Sequence, residues 1–321
     1  MVAVERRLPE NAILRERVDE ILASGTSELV PMRDGVKIHV DRRGYRNFES
    51  HGDGTEVVYI HGSPFYGGAV MPRQIAFYRQ RIEVFSPTRR GYFVSPRKPN
   101  RDFEVSADDA ADVLSYHGVK NCFVITKSGG IGHGLKFAAK YPDRVKGVAV
   151  IAGALSHDMM GEDWADGMAK ANADIFPMND ETLYSHIGKQ AQLILNENTN
   201  PETGQRLQHI PPRLSDLARR DIRNNVYEWD FQDTYSMALL RGHGGWYDDV
   251  RMLYHDWGFD LRDVRQPVLL YYYESDAYAP PAHGRQLQQL LPNAHLTVSP
   301  GSHFRSFSDI YTVIHDLKQM V

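Results

Sequence analysis

Residues 123–139 read FVITKSGGIGHGLKFAA. An apolar run ends on Thr126, Lys127 and Ser128 follow, and four of the next six residues are glycine. A helix-forming segment comes directly after, and glycine inside a helix costs about 1 kcal/mol relative to alanine. Glycine at this density marks a place where the backbone turns sharply or is closely approached. The stretch therefore reads as strand, tight turn, helix. In an open parallel sheet, ligands bind beyond the carboxyl ends of the strands, and this turn falls there. A nucleophilic serine at such a turn needs a strained backbone that lifts its hydroxyl clear of the sheet, with small neighbours to permit it. Ser128 is the candidate nucleophile and Gly130 the small neighbour. The N–H of Gly129 is a candidate oxyanion donor, with the dipole of the coming helix behind it.

Outward from this turn, short apolar runs alternate with stretches of helical spacing. The runs are EVVYI (56–60), IEVFS (82–86), CFVIT (122–126), VKGVAVIA (145–152), PVLLYYY (267–273) and AHLTVS (294–299). Helical periods fall near 70–80, 106–117, 131–141, 283–291 and 304–319. That alternation predicts crossover units and a mostly parallel sheet covered on both faces. Ahead of it, an amphipathic lead-in helix is expected over about 10–24. Arg33-Asp34-Gly35 then joins two β-rich runs with the Asp-Gly signal of a hairpin. One interval breaks the rule: over a hundred residues separate the runs ending at Ala152 and starting at Pro267, with helical periods and no convincing strand. A connection that long is read as an inserted helical cap. It is rich in aromatics, among them Trp164, Phe176, Tyr184, Tyr227, Trp229, Phe231, Tyr235 and Trp246. Most would form the insertion's own core, and a minority would line an apolar pocket.

Composition narrows the function classes. The chain has 321 residues, 42% of them hydrophobic, and a net charge of −4, so no basic footprint for nucleic acid or an anionic membrane is present. Cys122 is the single cysteine, which excludes an internal disulfide and a cysteine-rich metal site. The charged N-terminal segment has no apolar signal core, and no stretch reaches the roughly 18 apolar residues of a membrane span. A cytoplasmic protein without metal or cofactor, acting on a small molecule, is expected. Neither a phosphate-binding loop nor a histidine pair at metal-ligand spacing occurs.

On these residues the sequence resembles the α/β-hydrolase superfamily from about residue 28 onward. The family's G-x-S-x-G elbow reads Thr126-Lys127-Ser128-Gly129-Gly130 here, with a β-branched threonine in place of the first glycine. The resemblance implies an eight-stranded, mostly parallel sheet with a cap inserted after strand 6. It divides the chain into a lead-in (1–27), a core (28–154 and 241–321) and a cap (155–240). A serine hydroxyl needs a base and a group that orients it, and the family's chain order is serine, acid, histidine. ESDAYAPP after the penultimate strand supplies Asp276, with Glu274 as a nearby rival. Pro300-Gly301-Ser302-His303-Phe304 after the last strand matches the family's histidine loop and supplies His303.

His61-Gly62-Ser63-Pro64 looks like the family's H-G-x-P segment, which assigns the second oxyanion donor to the backbone N–H of Ser63. Phe65 is the runner-up, since Pro64 has no N–H. FSPTRRGYFVSP resembles the segment usually written D-R-x-G-x-G-x-S, with Thr88 for the aspartate and Phe93 for the second glycine. Phe65, Lys127, Trp164 and Tyr273 are candidate pocket residues. Lys127, beside the nucleophile, would attract an acidic substrate or sit in a structural ion pair. Cys122, starting a buried strand, is expected to be inert. The implied activity is hydrolysis of a small to mid-sized, partly apolar ester, thioester, lactone or amide, ester-type bonds before amides. Two alternatives stay open: a lyase, cyclase or acyltransferase using the same serine, and a ligand-binding member with an idle triad.

Overall fold

The computed structural model describes residues 12–44, 55–68, 81–175, 178–197, 215–225, 234–307 and 310–320. A helix over Ala12–Leu22 leads into an eight-stranded sheet. The strands are β1 (Ser27–Pro31), β2 (Lys37–Gly44), β3 (Thr55–Ile60), β4 (Ile82–Pro87), β5 (Cys122–Lys127), β6 (Val145–Ile151), β7 (Val268–Tyr273) and β8 (Ala294–Ser299). Their spatial order is β1-β2-β4-β3-β5-β6-β7-β8. β2 runs antiparallel to both neighbours, and every other pair is parallel. The first hairpin closes where Asp34-Gly35 predicted: Gly35 takes φ 81°, and its N–H donates to the Met32 carbonyl at 2.9 Å.

Alternation along the central strands divides the core between the two faces of the sheet. Val58, Ile60, Val124, Val148, Val150, Leu270 and Tyr272 face a large cluster with residues of the helices Phe103–Tyr116, Ile131–Lys140 and Pro281–Leu290. Val57, Tyr59, Phe123, Ile125, Ala149, Ile151 and Tyr273 face a second cluster with Val313, Ile314 and Leu317 of the helix Ile310–Gln319. Because both faces are covered, these strands read as nearly unbroken apolar runs. The helix expected at 106–117 begins earlier, at Phe103, because the Asp102 carboxylate caps it by accepting from the Val105 N–H at 3.2 Å.

Between β6 and β7 the described residues are helical where they are regular. Short turns at His157–Met160 and Lys170–Ala173 precede the helices Asp180–Glu197 and Asp216–Asn225, and Gly244–Leu253 follows. The first of these long helices packs against the last, with Tyr184 against His243 and Tyr247 at ring separations of 4.4 and 5.1 Å. The helix expected near 70–80 lies outside the described residues, as do Phe176, Tyr227, Trp229 and Phe231. Among the described residues, no helix is long and apolar enough to cross a membrane.

Candidate active site

β5 ends on Lys127, and Ser128 takes φ 50°, the left-handed region that a serine enters only at a cost of about 1–2 kcal/mol. A tight turn over Ser128–Gly130 then passes into the helix Ile131–Lys140. The glycines make this geometry possible. A Cβ at Gly130 would stand 2.7 Å from the carbonyl oxygen of His61 and 2.8 Å from that of Ile60. One at Gly134 would stand 2.8 Å from the Cβ of Thr126. Bare glycine eight residues on therefore makes room for the β-branched side chain at the unusual elbow position. Gly132 leaves space for the Phe103 ring, which a Cβ would approach to 2.5 Å. Gly130→Ala should lower both the thermal midpoint and any turnover, because the obstacle is β3 backbone and not a movable side chain; overpacking of this kind costs about 1–3 kcal/mol. A melting curve equal to wild type would show that the close approach is not real.

Around Ser128 two other strand ends converge. His303 Nε2 lies 3.0 Å from Ser128 Oγ, and His303 Nδ1 lies 2.8 Å from Asp276 Oδ2. The other carboxylate oxygen of Asp276 accepts from the N–H groups of Tyr278 and Ala279, at 2.8 and 2.9 Å. Held on both oxygens, the carboxylate cannot swing away from the imidazole. Both Asp276 and His303 are buried, and the Tyr278 ring lies against that of His303 at 5.0 Å. The histidine loop is itself tied down. Asp221, from the helix Asp216–Asn225, accepts from Ser302 N–H at 2.8 Å and from Ser302 Oγ at 2.6 Å. A residue of the long connection between β6 and β7 thus holds the loop that carries His303.

Ser63 lies across from the elbow. A Cβ at Gly129 would stand 3.4 Å from Ser63 N, and one at Gly62 would stand 3.2 Å from Ser128 Cβ, so the two backbone segments face each other closely over the nucleophile. The carbonyl oxygen of Gly62 accepts from His61 Nδ1 at 2.7 Å, from Arg89 Nη2 at 3.2 Å and from the Phe65 N–H at 3.2 Å. His61 Nε2 accepts from the Arg89 N–H at 3.1 Å, and burial together with the Arg89 charge keeps its pKa well below the ordinary histidine value. His61 is therefore a neutral, hydrogen-bonded strut.

The pocket candidates fall in different places. Phe65 lies close to Gly62 and packs on Tyr235 at 5.2 Å. Lys127 is buried, with Nζ 5.8 Å from the centre of the Phe65 ring. Burial lowers its pKa well below the usual lysine value against the opposing pull of Asp276. Trp164 is buried in packing of its own, with Nε1 donating to the Leu155 carbonyl at 2.8 Å and the ring edge-on to Tyr254. Tyr273 belongs to the core cluster against Ile310–Gln319. Thr88, where the family usually has aspartate, joins His39 Nδ1 at 2.7 Å to the Gly67 N–H at 2.8 Å. Phe93 holds the glycine-like φ of 49° and is fully buried among Phe65, Tyr66 and Phe304. Burial pushes the Cys122 thiol up to about 12. Among the described residues, no group of three or more histidine, cysteine or carboxylate side chains is placed to hold a metal ion.

The family model for the alpha/beta hydrolase fold matches residues 56–309, spanning β3 to the histidine loop. The chain belongs to the α/β-hydrolase fold family. Within it, a non-heme chloroperoxidase of Kitasatospora aureofaciens is 26% identical over 274 residues, covering 84% of this chain and 89% of the relative. A bifunctional esterase/perhydrolase of Acinetobacter calcoaceticus is 24% identical over 293 residues, covering 90% and 97%. Among solved structures, the bromoperoxidase of Bacillus anthracis superposes with a TM-score of 0.64 at 18% identity, covering 92% of this chain and 99% of that one. That likeness is one of fold.

Proposed function

We propose that this α/β-hydrolase is a serine esterase acting on a small to mid-sized, partly apolar carboxylic ester. The observation that carries the reading is the unbroken line of hydrogen bonds from Asp276 through His303 to Ser128 on a strained elbow. Ser128 Oγ attacks the acyl carbon while His303 Nε2 takes its proton, and Asp276 stabilises the imidazolium that forms. The backbone N–H groups of Gly129 and Ser63 receive the negative charge on the tetrahedral oxygen. When the intermediate collapses, the bond from carbon to the leaving oxygen breaks and Nε2 hands that oxygen its proton. Water then attacks the acyl-enzyme, again giving a proton to Nε2, and the second collapse returns it to Ser128 and frees the acid. An esterase relative over nearly the whole length supports the ester class.

We further read residues 155–240 as a lid over this site. The support is the grip of Asp221 on the histidine loop and the contact of Tyr235 with Phe65. Phe65, Lys127 and the rings of the lid would then shape the acyl pocket. The test is turnover of a p-nitrophenyl acyl series in ¹⁸O-labelled water with product analysis by mass. Hydrolysis predicts free acid carrying one labelled oxygen. Acyl transfer would instead give unlabelled ester of an added alcohol, and an unchanged substrate series would favour the ligand-binding alternative.

A further inference from the structure

Beneath the oxyanion segment lies a buried ionic cluster that hydrolysis does not use directly. The carboxylate of Asp249, in the helix Gly244–Leu253, takes donors on both oxygens. Oδ2 accepts from Ser63 Oγ at 2.5 Å, Arg89 Nη2 at 2.5 Å and the Tyr92 hydroxyl at 2.7 Å. Oδ1 accepts from Arg101 Nη2 at 2.5 Å and lies 3.3 Å from His133 Nε2, on the helix that follows the nucleophile. All of these side chains but Ser63 are at most 4% exposed. Burial alone would raise the Asp249 carboxyl, but the charges of Arg89 and Arg101 hold it well below the usual range. Burial and the Arg89 charge lower the His133 imidazole to about 3, so it is neutral. Two guanidiniums therefore meet one carboxylate, in contact with the residue assigned as an oxyanion donor.

The contacts of Arg89 give the cluster a specific task. Arg89 Nη1 donates to the carbonyl of His61, and Nη2 donates to the carbonyl of Gly62 and to Ser63 Oγ, the last at 2.9 Å. The Gly62 carbonyl and the Ser63 N–H belong to one planar trans peptide, so they point in opposite directions. Drawing the carbonyl toward Arg89 turns the N–H the other way, and Ser63 Oγ pins the following residue to Asp249. We propose that Arg89, anchored by Asp249, is a positioning residue that holds the Gly62–Ser63 peptide in the orientation that makes the oxyanion hole. This rests on the serine esterase reading. The same carbonyl also accepts from His61 Nδ1 and the Phe65 N–H, so a peptide without Arg89 is loosened rather than freed, and its N–H drifts off the line to the oxyanion.

The test uses the full-length protein with p-nitrophenyl butyrate as substrate and an alkyl trifluoromethyl ketone as probe, whose hemiketal oxygen occupies the hole. Arg89→Met is the first variant, since Arg101 and Asp249 remain a balanced pair. Its kcat should fall about 100-fold, in line with the loss of one oxyanion donor, while KM stays within about 2-fold. Affinity for the trifluoromethyl ketone should fall by the same factor as kcat/KM. Should Arg89→Met fail to fold, Ser63→Ala decides: it removes one hydroxyl and should lower kcat about 10-fold, on the same pattern, as a small displacement of a donor does. A folded variant with wild-type kcat and ketone affinity overturns the proposal while leaving the esterase reading intact. An effect confined to KM or to melting temperature also overturns it, because that is what a merely structural cluster would do. A wild-type protein that turns over no ester overturns both.

Discussion

Ser128→Ala should lower kcat for ester hydrolysis by about 10⁶-fold, leaving only the residual catalysis of about 10³–10⁴ over water that binding and the oxyanion donors provide. The size follows from the division of labour at the elbow. In the proposed mechanism Ser128 is the group that bonds to the acyl carbon, and His303 Nε2 lies 3.0 Å from its Oγ, placed to take its proton. His303→Ala should cost about as much, and the double variant little more, because the two act as one unit. Ser128→Ala removes a single hydroxyl, whereas His303→Ala also takes the imidazole partner from the buried Asp276 carboxylate, so its folding is checked separately. The check is steady-state kinetics on the purified variants with melting curves alongside. A Ser128→Ala protein within tenfold of wild type would remove serine from the mechanism.

Acid should unfold the protein well above the pH at which carboxylates titrate. Among the described residues, His39, His61, His133 and His283 are buried with lowered pKa values. Burial lowers His39 and His133 to about 3, His283 to about 4, and His61 well below its usual value of 6.5. Burial is the cause, and hydrogen bonds satisfy the ring nitrogens of His39 and His283 in the neutral form. His39 bridges Thr88 and Ser27, while His283 accepts from the Leu155 N–H and donates to the Trp164 carbonyl. Each folded pKa is depressed, so the unfolded chain binds more protons than the folded one below the unfolded value. The stabilisation from each neutral histidine is complete above about pH 6.5 and is lost as pH falls below it, down to the folded pKa. Four such groups together would cost on the order of 5 kcal/mol or more by pH 5, comparable with the 5–15 kcal/mol that holds a typical domain together. Asp41 and Asp109, whose pKa values burial raises, work in the opposite direction from the ordinary carboxylate value of 3.8 upward, two groups against four. Between pH 7 and 5 the histidines therefore dominate. Thermal midpoints across that range should fall steeply, and a flat profile would mean that these rings are not held neutral.

The parts of this molecule that were legible in the sequence are those whose signal is local. Each β run is five to eight residues of apolar and β-branched side chains, and each emerged as a strand within a residue or two. Ser128, Asp276 and His303 stood out because each follows a strand closely, and strand ends of a parallel sheet gather on one edge. The compensation of Thr126 by Gly134 was not legible. Their contact is made between β5 and the helix behind it, and only the folded backbone shows that the glycine is needed there. The cluster on Asp249 was hidden for the same reason, since Ser63, Arg89, Arg101, His133 and Asp249 come from five separate segments with no spacing rule between them. The T-R-R-G run did offer a hint: two adjacent arginines point opposite ways, Arg90 to Asp34 and Asp109, Arg89 to the oxyanion segment. Aromatic content could not separate pocket from core, and Trp164 and Tyr273 lie in packing that their residue type alone does not distinguish from a substrate wall.

In the proposed mechanism Ser128 is a nucleophile activated by His303. That role is tested most directly by treating the purified protein with a fluorophosphonate and reading intact mass and peptide map, with Ser128→Ala in parallel. A single adduct is expected, mapped to Ser128 and absent from the variant. A folded wild-type protein that takes up no phosphonate, or takes it up at another residue, would contradict it.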